Sequence, residues 1–266
     1  MIVLALLFAA TALLYASVGF GGGSTYTALL ALSGTDYRLL PIISLACNVA
    51  VVAGGVWRFG RAGAVPWARA LPLCAASVPL AWLGGRLVVP EAVFTGLLGG
   101  SLLAAGALML APPARRPAPL GAAVATRPAR PLRLTEPALG GALGLLSGVV
   151  GIGGGIFLAP VLHLTGWAGA RAVAGTASLF ILVNSLAGLA GQLSKLAGPG
   201  PGLAPGTGEL LGYWPLLLAV VLGGQLGARL GSQVLPPALL RRLTALLVLI
   251  VGVRLLFRFA TLMGAA

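Results

Sequence analysis

Eight stretches of this chain, near residues 2–33, 38–57, 66–89, 92–111, 137–166, 170–193, 210–235 and 238–259, are apolar over the length a bilayer-crossing helix needs, about 20 residues. Charged residues make up 8% of the chain, against roughly 25% in ordinary soluble domains, so water is not its solvent. In lipid every backbone polar group must be satisfied internally, and long unalternating apolar runs do this as helices. The expected fold is therefore an all-α polytopic membrane protein. The first run is read as part of the mature fold, because no Lys or Arg precedes Arg38 and no short leader-like apolar region ends before the glycines. A formal net charge of +13 lies mostly in short loops and helix ends, where lipid headgroups and topology account for it and nucleic acid is not needed.

Two of the eight stretches are interrupted. Gly19–Gly34 reads GFGGGSTYTALLALSG and Gly151–Gly166 reads GIGGGIFLAPVLHLTG, identical at seven of sixteen positions, including all four glycines of each break. The third stretch of each half adds an echo, LGGRL at 83–87 against LGARL at 226–230. This order implies an internal duplication. Residues 1–111 form an N-terminal repeat and 137–266 a C-terminal repeat, each of four apolar segments with the first one broken. Between them, 112–136 is a proline-rich basic linker carrying Arg115, Arg116, Arg127, Arg130 and Arg133.

If the broken segments cross the membrane, the repeats are parallel; if they are re-entrant, the repeats are inverted. Cytoplasmic loops carry excess Lys and Arg. The inverted arrangement divides the seventeen basic residues twelve against five, the parallel one eleven against six, which favours inversion by one residue. Both arrangements put the linker in the cytoplasm.

Glycine in a helix interior costs roughly 1 kcal/mol relative to alanine. The heavier cost is freed backbone in lipid, tolerated where protein or a water-filled cavity covers it. Consecutive glycines can turn successive N–H groups towards one point, and a following half-helix adds the positive end of its dipole. Two such ends brought together would frame an anion without a buried Lys or Arg, as discontinuous-helix transporters do. The other reading is that the glycines let helices pack closely.

The paired Gly-x-Gly-Gly-Gly breaks, the basic linker and the AGTAS run at 174–178 resemble the sulfite exporter TauE/SafE family, also called toluenesulfonate uptake permeases. The resemblance implies a bacterial inner-membrane permease for sulfite, organosulfonates or related small anions. It carries over onto Gly19, Gly21, Gly22 and Gly23, onto Gly151, Gly153, Gly154 and Gly155, and onto Thr176 and Ser178. Ser44 stands opposite Thr176 in the first half, without a matching pair.

Other polar residues in the spans complete the candidate site. Asn48 and Asn184 can donate amide hydrogens to an anion or bond between helices, and Ser24 and Thr25 follow the first break as caps or ligand contacts. Arg86 and Arg229 end the third segments, as anion attractors or snorkelling anchors. Gln192 reads as interfacial, and His163, the sole histidine, as a structural residue or a coupling or gating group. Cys47 and Cys74 read as packing residues, and neither a cofactor nor a metal site is expected. The expected partners are a small anionic substrate, the lipid bilayer and a second copy in a homodimer. Rival readings are an intramembrane hydrolase using Ser24 and His163, and a non-transporting membrane scaffold.

Overall fold

In a computed structural model, which describes residues 1–18, 21–110, 135–196, 207–230 and 237–264, every regular element is an α-helix. In chain order these are α1 (Ile2–Val18), α2 (Gly23–Leu32), α3 (Leu39–Arg61), α4 (Trp67–Arg86), α5 (Glu91–Leu110), α6 (Thr135–Val150), α7 (Gly155–Leu164), α8 (Ala170–Leu196), α9 (Thr207–Leu211), α10 (Trp214–Leu230) and α11 (Pro237–Gly264). Gly19 and nearly all of the basic linker lie outside the described residues.

Five stretches, Leu39–Arg61, Glu91–Leu110, Arg171–Lys195, Glu209–Leu230 and Arg241–Gly264, are long and apolar enough to cross a membrane. Helix α4 has 20 residues, but Arg69, Pro72 and Pro79 leave it less apolar than those five. The seventh apolar stretch starts differently from its sequence pattern. A five-residue α9 and a turn at Gly212 and Tyr213 precede α10.

Both glycine-rich stretches interrupt their helices, and at each the chain doubles back. Phe8 of α1 and Tyr26 of α2 stack with ring centroids 4.7 Å apart, where one unbroken helix would separate them by about 27 Å. In the second pair a single guanidinium ties the ends together. Arg69 Nη1 donates to the Trp167 carbonyl beyond α7 at 2.7 Å, and Nη2 pairs with Glu136 at the start of α6 at 3.4 Å. The returning arms end alike. Gly34 (φ +75°) and Gly166 (φ +61°) take the left-handed conformation that glycine adopts without a Cβ clash. Thr35 N–H then bonds to the Leu30 carbonyl and Trp167 N–H to the Leu162 carbonyl, which satisfies groups the helix ends leave open.

At the centre α3 and α8 run antiparallel. Leu45, early in α3, meets Gly188, late in α8, and Phe59, late in α3, meets Gly175, early in α8. Helices α5 and α11 are likewise antiparallel, with Gly96 against Phe259 and Gly106 against Leu249. Helix α1 packs on α10 and α6 packs on α4, so each interrupted segment lies against a helix from the other half of the chain. Small residues allow these approaches. A Cβ at Gly227 would strike the Leu13 carbonyl and one at Gly84 the Leu145 carbonyl. The alignment that matches Gly21 with Gly153 also matches Leu13 with Leu145, and the LGGRL/LGARL echo matches Gly84 with Gly227.

Candidate functional site

Residues four apart share one face of a helix, and on α3 that spacing sets Ser44, Asn48 and Val52 towards the glycine breaks. On α8 the facing row is Ala177, Ile181 and Ser185. The two breaks meet between these rows. Asn48 is fully buried there, and its Nδ2 donates to the Ile152 carbonyl of the second break at 3.2 Å.

Three glycines are required by the closeness of this meeting. A Cβ on Gly21 would sit 2.7 Å from Asn48 Oδ1, and one on Gly153 would sit 2.7 Å from Asn48 Nδ2. On Gly23 it would strike both the Asn48 amide and the Ile152 carbonyl. The first break thus touches the second directly, with Asn48 wedged between them.

The breaks share a spelling but not a backbone. Gly22 has φ −94° and ψ 20°, open to any residue. Gly151, Gly153 and Gly154 have φ of +82°, +83° and +74°. Only in the second break, among the described residues, do left-handed glycines recur, the condition for successive N–H groups to face one concavity. Close packing and interruption therefore occur together.

Several hydroxyls and amides surround the junction. Ser44 Oγ donates to the Gly23 carbonyl at 3.0 Å, and Thr27 Oγ1 lies 2.8 Å from the same oxygen. Thr176, matched to Ser44 by the repeat, is buried, and its Oγ1 has no partner. Ser185 is also buried with an unpartnered Oγ, close to the space a Gly153 side chain would fill. Asn48 Oδ1 and Asn184 Oδ1 are buried acceptors without partners.

The remaining expected site residues fall in different surroundings. Ser24 is buried at the start of α2, and Thr25 Oγ1 lies 3.1 Å from the Tyr15 hydroxyl, which in turn donates to Thr244 of α11 at 2.7 Å. Ser178 donates to the Ala174 carbonyl and Asn184 Nδ2 to the Phe180 carbonyl, both 2.8 Å away and on their own helix. Gly155 packs on Ile181, and Gly154 lies beside Phe180. Arg86, exposed, stacks its guanidinium 4.7 Å from the Trp82 ring centroid, and Arg229 is exposed at the end of α10. His163 is exposed near the end of α7, about 12 Å along the helix axis from Gly155.

Gln192, read from the sequence as interfacial, has a partner inside the protein. It is buried and donates Nε2 to the Gly148 carbonyl at 2.8 Å, because the last turn of α6, just before the break, leaves carbonyls unsatisfied. Sequence reasoning also passed over Ser185 and Thr27. Ser185 is one turn beyond Ile181 and adjoins Asn184, a signal that needs the α8 face to be known first. Among the described residues no three metal-ligating side chains cluster.

A multi-pass helical membrane protein with two interrupted segments meeting in its interior has the architecture of a membrane transporter. This chain belongs to the sulfite exporter TauE/SafE family, whose model matches residues 3–255. Among curated proteins it is 35% identical over 254 residues to the probable membrane transporter protein y4hK of Sinorhizobium fredii (strain NBRC 101917 / NGR234), covering 96% of this chain and 97% of that one. No solved structure matches it significantly. The protein is a membrane transporter of the TauE/SafE type.

Proposed function

We propose that this transporter moves a small sulfur oxyanion, sulfite or a sulfonate, across a bacterial inner membrane by alternating access around the paired glycine breaks. The observation that carries the proposal is the junction itself. Two interruptions from different parts of the chain meet at one buried asparagine, with the unpartnered Ser185 hydroxyl beside them. In this reading Gly21, Gly22, Gly23 and Asn48 hold the anion from one side, and Ser24 and Thr25 begin the half-helix behind them. Gly153, Gly154, Gly155, Thr176, Ser178 and Asn184 hold it from the other. The Asn48 amide bond to Ile152 is then the closed-state contact that a guest replaces.

Inverted four-segment repeats with re-entrant first segments follow from the same reading. The antiparallel pairs α3/α8 and α5/α11 support it, as does the doubling back of α1–α2 and α6–α7. The linker face then carries Arg58, Arg61, Arg69, the five linker arginines, Arg171, Arg229, Arg241 and Arg242, and is cytoplasmic. Arg38, Arg86, Lys195, Arg254 and Arg258 lie on the opposite face.

The test is flux into proteoliposomes. Saturable uptake of sulfite or a sulfonate is expected for the unaltered protein, with loss in Gly22→Leu and Gly154→Leu and retention in Ser24→Ala. Uptake that depends on Ser24 but tolerates both glycine changes would contradict the proposal, as would failure of a broad anion panel to move.

A further inference from the structure

Helix α3 places a cation in its last turns that spends itself on two helix ends. Arg58 donates to the Ala16 carbonyl of α1 at 3.2 Å and to the Ala228 carbonyl of α10. At the other end of the molecule the corresponding work is divided. Gln192 takes the Gly148 carbonyl of α6, the repeat partner of Ala16. Lys195 takes the Leu87 carbonyl at the end of α4, at 3.2 Å. An ammonium has three donors. Among the described residues, two of those on Lys195 have no partner, and no carboxylate lies within ion-pair distance of it.

Lys195 faces a hollow of about 50 Å³, also lined by Arg38, Gln192, Pro41 and Val149. That volume holds a few waters or one compact oxyanion. The hollow lies next to the second glycine break, since Pro41 packs against Gly151, Val149 precedes it, and Gln192 holds Gly148. Arg38 keeps its guanidinium against the Tyr37 ring at the mouth, where α3 also begins and its dipole is positive. The carboxylates acting on Arg38 are Asp36, whose Oδ1 accepts the Arg38 backbone N–H, and Glu91, which pairs with Arg258. The face opposite the linker has five basic residues, and two of them line this one hollow.

Resting on the transport reading above, we propose that the hollow is a docking vestibule for the oxyanion. Lys195 and Arg38 draw it in, and Lys195 donates to it before it passes to the second break. Its ligand is a compact group of three or four oxygens with one or two negative charges, a free sulfite or sulfonate. A phospholipid headgroup shares that chemistry.

The experiment measures radiolabelled sulfite entry into phosphatidylcholine vesicles, separately from each face of the oriented full-length protein. Lys195→Gln should raise the half-saturating sulfite concentration about threefold or more for entry from the face opposite the linker, and flatten its dependence on ionic strength. Entry from the linker face should be unchanged, and Lys195→Arg should restore most of the loss. An unchanged half-saturation, or an equal shift from both faces, overturns the vestibule. So does phosphatidylglycerol that co-purifies with the unaltered protein and is lost in Lys195→Gln with sulfite entry unaffected, which would make the occupant a lipid headgroup. If the unaltered protein moves no sulfite or sulfonate, the transport reading fails by itself. The vestibule is then read from sulfite-induced thermal stabilisation, expected in the unaltered protein and lost in Lys195→Gln; equal stabilisation of both overturns it.

Discussion

Asn48 on α3 gives its side-chain amide to the Ile152 carbonyl, binding the middle helix of one half to the glycine break of the other. Because both residues are buried, removing the donor leaves the carbonyl without a partner, at a cost of about 1–3 kcal/mol. Asn48→Leu, alike in branching but larger, should lower the melting temperature in detergent by at least that equivalent and reduce oxyanion flux more than tenfold. Full flux in Asn48→Leu would remove Asn48 from the transport path.

Glycine is required at the junction by neighbours, and this separates Gly23 from Gly54. A side chain on Gly23 meets the Ile152 backbone, whereas one on Gly54 meets nothing within 4 Å. Gly23→Ala should destabilise the protein by at least the 1–3 kcal/mol typical of overpacking. Gly54→Ala, on an exposed helix face, should stabilise it by about 0.5–1 kcal/mol. Chemical or thermal unfolding of the two variants side by side checks the contrast, which an equal response would undo.

Arg69 joins the two ends of the α6–α7 unit through the Trp167 carbonyl, the Trp167 ring face at 4.1 Å and Glu136. A guanidinium fits three such partners at once; an ammonium is a point charge. Arg69→Ala should cost about 1–3 kcal/mol, and Arg69→Lys should recover less than half of it. Equal stability of the Lys variant and the unaltered protein would show that only the charge matters.

Much of this fold was legible because lipid allows few alternatives. Apolar length located the helices, and the repeated GxGGG located both interruptions. The closing glycines Gly34 and Gly166 were visible as a shared ending, and the structure gives them one conformation. What could not be read was the partner of each segment. The sequence carries no sign that α1 lies on α10 and α6 on α4, because small residues at an interface look the same whichever helix they face. The two breaks also differ in backbone although their glycines match, and their surroundings differ too: Gly22 lies beside Thr11 and Tyr26, Gly154 beside Phe180. The partner of Gln192 was hidden for a related reason. A polar residue near a helix end reads as interfacial until a carbonyl released by a neighbouring break claims it.

Ser33 and Thr165 occupy matching places where the returning arms α2 and α7 end, and both are exposed. With the buried Cys47 and Cys74 replaced by alanine, Ser33→Cys and Thr165→Cys should react with a membrane-impermeant maleimide from opposite faces. Thr165→Cys should share the face of the basic linker. Labelling of both from one face would contradict the inverted arrangement.

The most direct measurement of the central claim uses Ser185, whose unpartnered hydroxyl lies beside Gly153 at the junction. A cysteine there, in a background lacking Cys47 and Cys74, is probed with an impermeant methanethiosulfonate applied to either face of oriented vesicles. Alternating access predicts reaction from both faces, slowed by ethanesulfonate or another sulfonate that the protein carries. A thiol unreactive from both faces, or one whose rate is indifferent to every oxyanion tried, would contradict it.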